Sequence, residues 1–132
     1  MYEDNDFILL DFPIAPVPAS RPRVTKWGAY YGKRYTQFKN EAAELIPAMY
    51  SGLPLTGPLR ALITFYCKRA KTTKREYPRG DVDNYAKAIL DSCNGKLYVD
   101  DDQIIQLTVT KQYAINEEPM ISIYLEPWSI EG

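Results

Sequence analysis

The chain has 132 residues, 45% hydrophobic and 25% charged, with a formal net charge of −1, a balance that predicts one globular domain over residues 1–132 and excludes a disordered or fibrous chain. It holds two cysteines and no histidine, which excludes a Ser-His-Asp triad, a Cys-His protease, an HExxH zinc site and a Cys₄ or Cys₂His₂ zinc centre. No apolar run approaches the ~20 residues that span a bilayer and the first six residues are acidic, so a cytoplasmic protein with reduced thiols and no membrane partner is expected.

Residues 7–14 read as a strand that Pro16 and Pro18 end. Residues 20–40 carry Arg21, Arg23, Lys26, Lys33, Arg34 and Lys39 with no acid. Trp27, Tyr30, Tyr31 and Tyr35 interleave with these cations, and Gly28 and Gly32 punctuate the stretch, which predicts a loop or loose hairpin. A helix is predicted from Gln37 to Tyr50, with Thr36 as N-cap and Phe38, Ala42, Leu45 and Met49 on one face. Pro47 should bend it or end it early. A turn region with Gly52, Pro54, Gly57 and Pro58 leads to a second strand from Leu59 to Tyr66.

Residues 68–80 form a long polar connection whose cations include Lys71, Lys74, Arg75 and Arg79, against the single acid Glu76. A second helix is predicted from Val82 to Asn94, stopped by Asn94-Gly95. Its core face would hold Val82, Ala86, Ile89, Leu90 and Cys93. Strands follow at 104–114 and 119–125, the last with Ile121, Ile123 and Leu125 on one face. The order β, basic loop, α, β, basic loop, α, β, β predicts a two-layer α+β fold: a small mixed sheet of about four strands with two helices packed on it. Charge this blocky can build a polyanion-binding face on a nearly neutral chain, though each basic run taken alone also reads as a solvated loop.

The acids cluster between the two halves of the second helical unit. Asp81 precedes the helix, Asp83 opens it, and Asp83, Lys87 and Asp91 recur at steps of four. Asp81 and Asp83 can converge on one cation, and a third carboxylate from the run Asp100-Asp101-Asp102 would close an all-oxygen site suited to Mg²⁺ or Mn²⁺. The plain reading makes Asp83 a helix cap, Lys87 its ion-pair partner, and the aspartate run a turn. It leaves six aspartates around two elements uncompensated, and like charges that close repel. The run fits neither an EF-hand loop nor a P-loop or dinucleotide fingerprint.

The pattern Arg79-Gly-Asp81-Val-Asp83-Asn84-x-x-Lys87-Ala-x-x-Asp91, then Asn94-Gly95, Asp100-Asp101-x-Gln103-Ile104 and Lys111, resembles the RusA family of Holliday-junction resolvases. Pro18-x-x-Arg21-Pro22-Arg23 is similar to that family's opening motif, and the likeness runs from about residue 8 to residue 125. The resemblance implies a bacterial or phage-encoded homodimeric endonuclease, dependent on Mg²⁺ with Mn²⁺ as a substitute, that nicks four-way DNA junctions symmetrically. It maps the metal ligands onto Asp81, Asp83 and Asp101, and the catalytic lysine onto Lys87. This chain carries one more aspartate, Asp102, so Asp100, Asp101 and Asp102 all stand as candidates; Asp101 is preferred because it lies two before Gln103. A bound metal would lower the pKa of a water, and Lys87 would neutralise charge on the phosphate or orient the nucleophile. Arg21, Arg23, Lys26, Lys33, Arg34, Lys71, Lys74, Arg75 and Arg79 would contact DNA backbones. Two nicks in a near two-fold junction call for a homodimer, with the apolar faces of residues 104–125 and Tyr113, Tyr124 and Trp128 as interface material, although a buried monomer core accounts for them about as well. The rival is a non-catalytic module that binds junction DNA or a divalent cation.

Overall fold

The computed structural model describes residues 7–20, 23–30 and 32–129. The strands are β1 (Ile8–Phe12), β2 (Arg23–Thr25), β3 (Gly28–Tyr30), β4 (Leu59–Cys67), β5 (Ile104–Tyr113) and β6 (Met120–Pro127). The helices are α1 (Lys33–Met49) and α2 (Val82–Cys93). Four strands form one mixed sheet in the order β1-β6-β4-β5, with β4 and β5 parallel and the other neighbours antiparallel. Parallel strands need a long return, and α2 supplies it between β4 and β5. The two helices pack on this sheet and on each other, α1 over β1 and α2 over β5, as an α+β fold.

Period-2 alternation decides which face each strand buries. Ile8, Leu10 and Phe12 of β1 point inward, as do Leu59, Ala61, Ile63, Phe65 and Cys67 of β4 and Ile121, Ile123 and Leu125 of β6. The register joins them into rows: Leu10 pairs with Ile123, Ile123 with Ile63, and Ile63 with Val109. Each row is a continuous apolar stripe under the helices, and cross-strand pairs of this kind stabilise a sheet. On the edge strand β5 the inward register reads Leu107, Val109, Lys111, Tyr113, so a lysine takes a position where its neighbours are apolar.

Helix α1 begins four residues before the predicted Gln37. Gly32, not Thr36, is the N-cap, and no side chain caps the turn. Burial sets the start: Tyr35, Phe38, Ala42 and Ile46 form the inward stripe, one turn longer upstream than the cap chemistry indicated. Leu45 and Met49, expected on that stripe, are only partly buried against it. Pro47 lies inside α1 and the helix still reaches Met49, because Tyr50 N–H bonds Ile46 O at 2.8 Å and closes the last turn. In α2 the expected core residue Val82 is exposed; the buried face runs from Tyr85 through Ile89 to Cys93. At the first position of α2, Val82 lines an open cleft together with Leu107 and Val109 of β5. The basic stretch before α1 is a hairpin, β2 and β3 paired antiparallel around Lys26 and Trp27.

Candidate functional site

The first site residues sit where α2 begins. Asp81 is the N-cap residue in extended backbone, and its carbonyl accepts from Asn84 and Tyr85 N–H, both at 3.1 Å. Its carboxylate caps nothing. The Asp83 carboxylate accepts from the neighbouring Asn84 N–H at 3.0 Å. Both acids are exposed at the N-terminal end of α2. Lys87 follows one turn later. Its Nζ donates to Asp91 Oδ2 at 3.2 Å, so its ion-pair partner is Asp91 and not Asp83. The same Asp91 oxygen accepts from the buried Tyr35 hydroxyl of α1 at 3.2 Å.

The aspartate run forms a 3₁₀ turn, Asp101–Gln103, that feeds β5. The three acids have different employment. Asp100 caps the turn, accepting from Asp102 N–H at 3.0 Å. Asp102 is exposed, and the nearby Asp100 charge pushes its carboxyl above the ordinary value. Asp101 faces an open cleft of about 510 Å³, which Asp83, Lys87 and Asp91 also line. Desolvation first, then the charges of Asp100 and Asp91, raise its carboxyl, with Lys87 opposing. Asp81 does not line that cleft, and among the described residues no three Asp, Glu, Cys or His side chains stand close enough to hold a metal ion together. The donors on hand are nonetheless all oxygen, and the repulsion felt by Asp101 is of the kind a hard divalent cation removes.

Several residues that shape this site stand in the sequence pattern without a site role assigned to them. Asn94 Oδ1 accepts from Asp101 N–H at 2.8 Å. Gln103 accepts from the N–H groups of Val99 (2.8 Å) and Asp100 (2.9 Å), and donates to Leu55 O (3.1 Å) and Gly57 O (2.8 Å). These two amides fix the backbone that carries Asp101. The loop before Asp81 is fixed through its carbonyls. Lys111 Nζ donates to Pro78 O at 2.8 Å and to Gly80 O. Tyr113 Oη reaches Arg75 O (3.1 Å) and Tyr77 O (3.0 Å), and Tyr85 Oη donates to Arg79 O at 2.7 Å. Tyr113, a candidate for either a dimer interface or the monomer core, is bonded within the chain. Gly80 has φ +94°, and a Cβ there would stand 2.8 Å from the Tyr85 ring, so only glycine fits. The signals for this arrangement were the quoted pattern residues Gly80, Asn94, Gln103 and Lys111, the last an inward lysine on β5.

The basic residues spread over three places. Lys26 lies at the hairpin turn, 5.1 Å from the Trp27 ring centre, and Lys33 is exposed at the start of α1. Lys71 and Lys74 are exposed on the 68–80 loop. Arg34, Arg75 and Arg79 line a second cleft together with Lys68. Arg21 lies outside the described residues, as does the side chain of Arg23.

Residues 13–126 match the family described as "Endodeoxyribonuclease RusA". The chain belongs to the RusA family. The matched span holds every acidic and basic residue named above. The chain is also similar to "Uncharacterized protein YqaN" of Bacillus subtilis (strain 168), 38% identical over 58 residues, which cover 44% of this chain and 39% of that protein. Among the described residues no helix is long and apolar enough to cross a membrane.

Proposed function

We propose that this RusA-family chain is a structure-selective DNA endonuclease that resolves four-way junctions by paired, symmetric nicks, acting in the cytoplasm as a Mg²⁺-dependent homodimer. One observation carries the reading: Asp83 and Asp101, eighteen residues apart in sequence, line one cleft with Lys87. Asp83 and Asp101, with Asp81 at the adjoining N-cap, would hold Mg²⁺, or Mn²⁺ in its place. When bound, the metal supplies Lewis acidity for phosphodiester hydrolysis. Asp101 is favoured over its neighbours because Asp100 is engaged in capping and Asp102 faces solvent. Lys87, kept in place by Asp91, presents a cation to a phosphate oxygen and favours the charge that develops in the transition state. The exposed lysines and arginines bind DNA backbone and supply orientation without reading sequence.

The test is nicking of a synthetic four-way junction. Mg²⁺ should support two symmetric cuts, EDTA should abolish them, and a linear duplex of the same sequence should stay intact. Light scattering should give about twice the 15.2 kDa chain mass. A non-catalytic junction-binding module is favoured only by the absence of a closed three-acid cluster among the described residues; it predicts binding without any nick.

A further inference from the structure

The second cleft encloses about 280 Å³ between the segment after β1, the start of α1, the end of β4 and the 68–80 loop. Asp83, Lys87, Asp91 and Asp101 are absent from its walls, so it is a separate site. Arg34, Lys68, Arg75 and Arg79 converge on it from two distant stretches of sequence. No carboxylate lines it, and among the described residues none of these four cations forms an ion pair. Cations gathered this way repel one another, and an anion relieves the repulsion. Three of the four are arginines, whose planar forks match phosphate oxygens.

The interior has different chemistry. The floor is built of buried Cys67, Pro78 and Tyr85, and exposed Ala15 stands at the wall. A cationic rim over an apolar, partly aromatic floor suits a ligand with an anionic end and a flat apolar body. Duplex DNA shows phosphates, sugars and base edges to such a concavity but no base face, because its bases are stacked inside. A single nucleotide turned out of the stack offers both parts at once.

We infer that this cleft receives one unstacked nucleotide of branched DNA, its phosphate on the arginine rim and its base against the floor formed by Cys67 and Tyr85. The inference rests on the proposed nuclease function and adds the source of structure selectivity. Turning out a base costs least where stacking is already interrupted, as at a branch point. Tyr85 lies two residues beyond Asp83 on α2, so the two clefts open beside the same helix turn.

The experiment places 2-aminopurine, one site at a time, at each position within three nucleotides of the branch in a four-way junction, and adds protein in EDTA. Fluorescence should rise several-fold at one position and stay unchanged in a linear duplex of the same sequence. Ala15→Trp, which fills the cleft from an exposed position, should abolish the rise. Arg34→Gln, at the exposed rim, should do so as well and carries the test alone if the first variant fails to fold. Nicking of the junction in Mg²⁺ is measured on the same protein. Nicking with no position brighter than the duplex control overturns the pocket and leaves the nuclease reading standing. A rise without nicking supports the pocket and removes the nuclease reading. Neither signal removes both. Arg34-dependent binding of thymidine 5′-monophosphate with no fluorescence rise on junctions assigns the cleft to a soluble nucleotide and overturns the inference.

Discussion

The acidic cleft and the cationic cleft are both lined by residues of α2, the loop from Arg75 to Gly80 walls only the second, and they differ in how their charges are held. In the acidic cleft each group has a local partner or a clamped backbone: Lys87 pairs with Asp91, Asp91 with Tyr35, and the Asp101 amide with Asn94. The signs are mixed, and the geometry is set by rigid neighbours. In the cationic cleft the charges share one sign and have no ion-pair partners among the described residues. The difference separates two tasks. Chemistry on a phosphate needs groups held in place before the substrate arrives. Capture of a polyanion needs only unpaired charge and pays little for flexible side chains. The loop serves both, since its arginines face one cleft while its end delivers Asp81 to the start of α2.

The largest expected effect falls on the acidic side alone. Asp81→Asn, Asp83→Asn and Asp101→Asn should each lower junction nicking by more than about a hundredfold, because each removes a metal-ligand charge. Junction affinity by gel shift should hold or rise slightly. Asp102→Asn should change nicking only a few-fold; loss of activity there with a dispensable Asp101 would shift the ligand by one residue.

Lys87→Ala should come next, with nicking down roughly ten- to a hundredfold. Its partly exposed ion pair with Asp91 contributes only a few tenths of a kcal/mol, so the melting temperature should barely move. Near-normal nicking by Lys87→Ala would reduce this lysine to that ion pair.

Lys111→Met probes the loop that carries Arg75 and Arg79 and leads to Asp81, and so should damage both sides together. It leaves the Pro78 and Gly80 carbonyls without their donor, at a cost of about 1–3 kcal/mol in stability. Denaturant melts should show that loss, and at temperatures where the variant is folded both nicking and junction affinity should fall. A loss confined to nicking would mean that the loop positions Asp81 but not the arginine rim.

On the cationic side, replacing Lys71, Lys74 and Arg75 together by Gln should flatten the dependence of log affinity on log salt by roughly one unit per lost phosphate contact. An unchanged slope would make these side chains solvated loop residues.

The smallest effect is a stability change with pH. The fold raises the Asp101 carboxyl, first by desolvation and then by the charges of Asp100 and Asp91. A raised acid is disfavoured in its charged form, so its contribution to stability is best below the unfolded-state value and is lost as pH rises through the raised one. Asp101→Asn should therefore melt slightly above wild type at pH 7, with the difference gone below the ordinary carboxylate value of 3.8. Saturating Mg²⁺ should narrow the gap at pH 7 by stabilising the wild type.

Strands β1, β4 and β6 and helix α2 were legible in the residues because their signals are local: period-2 alternation for the strands and a 3.6-residue stripe from Ala86 to Cys93. The spacing of Asp81, Asp83 and Lys87 likewise placed them at one helix start, as helix geometry is the same wherever a helix forms. Other features depend on contacts that no local pattern carries. The start of α1 followed the burial of Tyr35 under its neighbours, not the cap signal at Thr36. Val82 obeyed the stripe and still ended exposed, because the cleft it lines with Leu107 and Val109 is open. Asp100, Asp101 and Asp102 are chemically identical in sequence, and only the turn made one a cap, one a solvent-facing charge and one a cleft residue. Lys111, Tyr113, Asn94 and Gln103 bond to backbone groups of distant segments. Every residue but proline carries the same backbone groups, so such partners leave no mark on composition or spacing. They emerge when the sheet order sets β5 beside β4 and brings the two loops within reach.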